Sequence, residues 1–72
     1  MDAIREKLEA LRQVNVLELG EEERDSIFMA VVAMVWDLNN ISQIWLRDEV
    51  KALKSEVLGF KQEFSVIAFP AR

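Results

Sequence analysis

The sequence predicts an all-α protein of two to three helices, arranged as a helical hairpin or bundle that is dimeric through a coiled-coil-like third helix. Helix breakers are rare, with one proline and two glycines among 72 residues, which favours long helices. Apolar residues make up 51% of the chain, and many recur at helical spacing. This length suits a single domain, with its elements at helix 2–14, helix 21–38, helix 41–64 and a short apolar C-terminal tail 65–72.

The small size of the chain predicts that it needs a partner. A domain this short buries only about 60% of its unfolded surface, and such domains usually depend on disulfides, metals or another chain. The sequence contains no cysteine and no histidine, which excludes disulfides, thiolate metal sites and the commonest transition-metal ligand. We therefore expect no cofactor, a homodimer, and binding to a further protein.

The charge balance and the N-terminal segment indicate a cytoplasmic protein. The net charge is −4 and the pI is about 4.7, which argues against nucleic-acid binding because phosphate contacts need clustered cations. The N-terminus is charged throughout, unlike a signal peptide, and the absence of cysteine fits a reducing compartment. The longest apolar run, 27–36, has about half of the roughly 20 residues that span a bilayer, so we expect no membrane span.

The second helix is predicted to be buried on all sides. Its first turns are acidic, where the helix dipole favours negative charge, and its run 27–36 is apolar on every face. Met29, Ala30 and Ala33 prefer helix over strand. A helix apolar all round is enclosed by other elements, so Ala33 is expected in a closely packed position. Few helices of so small a monomer can be enclosed in this way, which again predicts a partner chain.

Asn39 and Asn40 predict a turn between the second and third helices. Asn40 can cap the third helix, with Gln43 three residues later. One unbroken helix through this point is the alternative, since neither proline nor glycine is present. Gly59 weakens the third helix by roughly 1 kcal/mol relative to Ala and can end it early, leaving the tail extended. Pro70 closes any helix that continues.

The third helix carries an apolar heptad seam, which is the basis for predicting self-association. Seven apolar residues lie alternately four and three positions apart, the 3.5-residue period of a coiled coil. Val at the a positions and Leu at d favour a parallel two-stranded coil. The predicted self-association residues are the seam and four flanking charges: Leu46, Val50, Leu53, Val57, Phe60, Phe64 and Ile67, with Glu49, Lys54, Glu56 and Lys61.

The flanking charges predict a parallel orientation. In a parallel pair Glu49 of one chain faces Lys54 of the other, and Glu56 faces Lys61, whereas an antiparallel pair sets like charges together. These residues are five apart, so pairing at i,i+4 within one helix does not explain them. The alternative is intramolecular, because the same stripe suits a helix that packs on the first two helices of its own chain.

No catalytic pattern is present in the sequence, so we expect a protein that is not an enzyme. The serines have no histidine to activate them, and the acidic residues in 21–25 lack the alternation and glycine turn of a calcium loop. Trp36, Trp45 and Phe69 are candidate partner contacts. Tryptophan is enriched at interaction hot spots, although core aromatics give the same pattern.

Two functions fit these features. The first is a non-catalytic protein–protein interaction and oligomerisation module, or small adaptor, that self-associates through helical apolar faces. The alternative is a small acidic regulator or inhibitor that binds a basic surface of a larger protein, including a nucleic-acid-binding one, through Glu6, Glu9, Glu18 and 21–25. Salt dependence distinguishes them, since screening weakens the second complex far more than the first.

Overall fold

The computed structural model describes residues 2–45 and 47–70, and it confirms the all-α prediction. In chain order the elements are α1 (Asp2–Arg12), a short 3₁₀ helix (Val16–Glu18), α2 (Glu21–Ile44) and α3 (Asp48–Ala68). No β-strand occurs in either described range. The predicted three helices are therefore present, and the differences from the prediction lie in where they end.

The first helix is shorter than predicted because its last turn tightens. The N–H groups of Gln13 and Val14 bond to carbonyls three residues back, those of Ala10 and Leu11, at 3.3 and 3.2 Å. Such i→i−3 bonds are 3₁₀ geometry, which often closes an α-helix. The α-helix itself therefore ends at Arg12.

The predicted turn at Asn39 and Asn40 is wrong, because α2 continues through both residues to Ile44. Leu38 is fully buried and Ile41 packs against the core, so the apolar stripe runs past the asparagines. The helix propensity of Asn falls below that of Ala by at most about 0.7 kcal/mol, whereas burying a Leu side chain contributes roughly 1.5–3 kcal/mol. Burial outweighs local propensity, so the helix is unbroken at the asparagines as in the alternative, although it ends at Ile44 and does not run on into α3.

The connection between the long helices lies further along, at 45–47. Trp45 and Arg47 have extended backbones, with φ and ψ of −111° and 100° and of −102° and 143°. Leu46 lies outside the described residues. Beyond the connection, Asp48 and Glu49 fill the first turn of α3, where their charge complements the helix dipole.

The sequence predicts that the third helix ends at Phe64, or earlier at Gly59, but in the structure it continues to Ala68. A Cβ at Gly59 would meet no atom within 4 Å, so packing does not require a glycine here. The glycine only lowers the helix propensity of this position. Phe64 and Ala68 are both buried, and burial of this face carries the helix beyond the glycine. The last turn closes where the Phe69 N–H bonds to the Ser65 carbonyl at 2.9 Å. Of the predicted extended tail, 65–68 is helical and 71–72 lies outside the described residues.

The core lies between α2 and α3, which run antiparallel. Lys54 Nζ donates to Asn39 Oδ1 at 2.9 Å near one end, and Arg24 Nη1 donates to the Ala68 carbonyl at 3.3 Å at the other. The first helix contributes the fully buried Leu8. The main core cluster is Leu8, Val31, Met34, Leu38, Val50, Leu53 and Val57.

This fold exposes more surface than a compact monomer of the same mass. Its accessible surface is 5365 Å², against about 4,600 Å² from the mass scaling of monomeric proteins. The radius of gyration is 12.7 Å, against about 11 Å expected for this length. With extents of 38 × 24 × 16 Å, the molecule is a flat, elongated layer that leaves one side of its long helices uncovered.

Candidate protein interface

Most of the described heptad seam of α3 packs inside the chain. Val50, Leu53, Val57 and Phe64 are buried and Phe60 is half-buried, and most of these residues belong to or contact the core shared with α2 and α1. The last seam residue, Ile67, is 50% exposed. This arrangement matches the intramolecular alternative. Leu46 lies outside the described residues. Self-association through the seam would require α3 to separate from α2, so a partner chain needs another surface of this fold.

The charges that flank the seam contact groups of their own chain. Glu56 Oε2 accepts from Arg5 Nη1 of α1 at 3.3 Å, and Lys54 binds Asn39 as described above. Lys61 Nζ lies 5.8 Å from the centre of the Phe28 ring, within cation–π range. Glu49 is exposed. The charge pattern thus has an explanation in the packing of α3 on α1 and α2.

The second helix has two apolar faces, and the fold covers only one. Val31, Met34 and Leu38 form the buried face, so the prediction that the helix is enclosed on all sides is wrong. On the opposite side Met29, Trp36 and Ile44 are 62%, 66% and 80% exposed. We call this surface the outer α2 face: Met29, Ala33, Trp36, Asn40 and Ile44, which are all exposed and lie four, three, four and four residues apart.

The two ends of the outer α2 face differ in charge. At the N-terminal end Glu21, Glu22 and Asp25 are exposed. Beyond the C-terminal end, in the connection to α3, Trp45 is 55% exposed and the Arg47 guanidinium lies 5.4 Å from the centre of its ring, followed by the exposed Asp48 and Glu49. The face therefore runs from an acidic end through an apolar centre to a connection of mixed charge.

The predicted partner contacts do not form one cluster. Trp36 lies on the outer α2 face, whereas Trp45 is an exposed residue of the connection between α2 and α3. Phe69 instead packs edge-on to Phe28, with centroids 5.6 Å apart, and to Phe64 at 6.4 Å. Phe69 therefore helps to hold the end of α3 on α2, although this residue remains 42% exposed.

The sequence did not single out Met29, Ala33 and Ile44 as exposed residues of one helix face. The signal was present, since a run that is apolar on every face offers more apolar surface than a two-helix layer covers. Which face stays uncovered depends on where α3 packs, and the packing direction is a tertiary property that helical periodicity alone does not reveal.

Within 2–45 and 47–70, no group of three or more acidic residues is placed to hold a metal ion. Ser42 Oγ donates to the Asn39 carbonyl at 2.8 Å, a local helix bond. Surface depressions, such as the one lined by Gln62, Glu63, Val66 and Ile67, are open to solvent.

The second helix is long and apolar enough to cross a membrane. An 18-residue window within its 24 residues has a mean hydropathy of 1.4, and 17% of that window is buried within the chain. Core helices of soluble proteins and signal sequences satisfy the same criterion. The absence of a membrane span therefore stays a prediction, and the tests below include a membrane control.

The comparisons with known proteins identify no relative of this chain. No protein-family model matches the sequence, and neither the curated proteins nor the solved structures contain a significant match.

Proposed function

We propose that the protein is a non-catalytic interaction module of the cytoplasm that self-associates through the outer α2 face. The observation that carries this proposal is the exposure of Met29, Trp36 and Ile44 on one side of a helix whose other side forms the core. Exposed apolar residues scattered singly are ordinary, but a contiguous patch on a soluble protein marks an interaction site. Self-association covers such a patch without requiring any other component.

The surface excess of the fold supports a partner. Burying apolar surface contributes about 25 cal/mol per Å², and tryptophan is the residue most enriched among interaction hot spots. Trp36 lies near the middle of the outer α2 face, where hot spots concentrate. A partner that covers Trp36 gains more binding free energy than a partner that contacts only the ends of the face.

Replacing Trp36 with Glu tests the proposal. The parent should sediment at about twice the chain mass of 8.3 kDa at micromolar concentration, and the variant at the chain mass. Because Trp36 is 66% exposed, the helicity of the variant should match that of the parent.

The matched control is Leu17→Glu. Leu17 is 76% exposed but lies in the 3₁₀ helix, away from the outer α2 face, so its replacement should leave the association intact. A fully helical parent that remains at 8.3 kDa throughout the micromolar range would show that the proposal is wrong.

A second candidate is the acidic regulator. It is favoured by the exposure of the acidic side chains near the start of α2, namely Glu18, Glu21, Glu22, Glu23 and Asp25. The helix dipole already accounts for acidic residues at this position, and Glu9 accepts a bond from Arg12 at 3.1 Å on α1. Binding to a basic probe such as polylysine, lost steeply as salt rises, would favour this function.

A further inference from the structure

We propose that two copies of the chain pair with their outer α2 faces in contact and their α2 helices antiparallel. This inference rests on the proposed self-association and adds the orientation and register of the second copy. Together the two hairpins would form a four-helix arrangement in which the uncovered side of each layer covers the other.

Charge decides the orientation. A parallel pair sets Glu21, Glu22 and Asp25 beside the same residues of the second copy, and adjacent like charges repel. An antiparallel pair instead separates the two acidic ends by the length of α2 and brings each of them level with Ile44 of the second copy. Antiparallel helices also place opposite dipole ends together.

The apolar centre of the outer α2 face is self-complementary in the antiparallel register. With the two-fold axis at Ala33, the small side chains of both copies meet and allow the helices to approach. Met29 of one copy then lies beside Trp36 of the other, offset by one residue along the helix. The two-fold symmetry of the interface repeats this contact. Contact between a thioether and an aromatic ring is favourable.

The size of the interface predicts a dimer that dissociates at accessible concentrations. The 24 residues of α2 extend for about 36 Å along a helix roughly 10 Å wide. Two such faces bury on the order of 1,000 Å² in total, at the low end of specific interfaces. The dimer should therefore form reversibly in the micromolar range.

Cysteine crosslinking tests the orientation, because the chain has no cysteine of its own. Asn40 is an exposed polar residue of the outer α2 face, and Ser26 is an exposed polar residue N-terminal to Met29; the two lie equally far from Ala33 along the chain. In the antiparallel dimer Ser26 lies level with Asn40 of the second copy, whereas two copies of Ser26 are about 21 Å apart. A mixture of Ser26→Cys and Asn40→Cys, with one chain tagged to change its mobility, should give the mixed disulfide in high yield under mild oxidation.

The controls are each variant oxidised alone and Ser55→Cys, which lies on the side of α3 that faces away from α2. All of them should give only slow, concentration-dependent crosslinking. Rapid crosslinking of Ser26→Cys to itself would show a parallel pair, which overturns the orientation but leaves the self-association. A sedimenting dimer with no crosslink in any combination would overturn the use of this face. Partition of the parent into phosphatidylcholine vesicles without any dimer in solution would overturn both proposals.

Discussion

The two long helices differ in how well the fold accounts for their sequences. The third helix packs its main apolar face against α2 and α1, and the rest of its surface is mixed, with Ser55, Gly59 and Gln62 beside the exposed Leu58, Val66 and Ile67. The second helix has apolar residues on both sides, and the fold covers only one side. The seam of α3 from Val50 to Phe64 is explained within a single chain, whereas the outer α2 face is not.

This difference shows which sequence feature argues for a partner. A heptad seam of about three repeats is satisfied equally by a helix of another chain or of its own chain. Apolar residues beyond the face that the chain can cover have no such internal explanation. The proposed self-association therefore rests on the composition of α2 and not on the regular pattern of α3.

The sharpest test of this comparison places the same charge on both sides of α2. Val31→Glu puts an unpaired carboxylate where the side chain is 0% exposed, and should cost several kcal/mol of unfolding free energy, enough to abolish the cooperative melt. Ala33→Glu, two residues away on the outer face, should change the stability of the dilute monomer by no more than about 0.5 kcal/mol and abolish dimerisation.

Thermal melts followed by circular dichroism at low and high protein concentration separate these effects. If Ala33→Glu also unfolds the chain at the lowest concentration, Ala33 is enclosed in the monomer. The contrast between the two faces of α2 would then be wrong.

The seam of α3 gives the second test. Leu53 is fully buried, and Leu53→Ala should lower the unfolding free energy by about 2–5 kcal/mol, a large part of the roughly 4–11 kcal/mol typical of this length. Leu58→Ala on the same helix is the matched control, since Leu58 is 38% exposed and its truncation should cost less than about 1 kcal/mol.

Urea denaturation of the dilute chain measures both variants. Equal losses would mean that the seam is not the inner surface of the monomer. A loss for Leu53→Ala that grows with protein concentration would instead indicate that the seam joins two chains, as the sequence first predicts.

The elements that could be predicted from sequence are those in which local and tertiary preferences agree. In α1, Ile4, Leu8 and Leu11 lie four and three residues apart on one helical stripe; this spacing, the acidic start of α2 and the periodicity of α3 each agree with the observed helix. At Asn39 and Gly59 weak local propensity opposes the burial of neighbouring residues, and burial prevails. The position of the outer α2 face could not be predicted, because it depends on which side of α2 the third helix covers.

The smallest predicted effect concerns the outer side of α3, at Gly59. A Cβ added there would meet no atom within 4 Å, so Gly59→Ala gains helix propensity without a steric cost. The unfolding free energy should rise by about 0.5–1 kcal/mol, which raises the melting temperature by several degrees in a domain of this size. In the antiparallel α2 pairing this side of α3 remains free, so the affinity between the two copies should not change.

Ser55→Ala, one turn earlier on the same side, is the control and should stabilise the chain by less. If Gly59→Ala lowers the stability, another group must contact this position. If it weakens dimerisation while leaving the dilute chain more stable, the second copy binds α3 instead of α2, and the comparison between the two helices would have to be reversed.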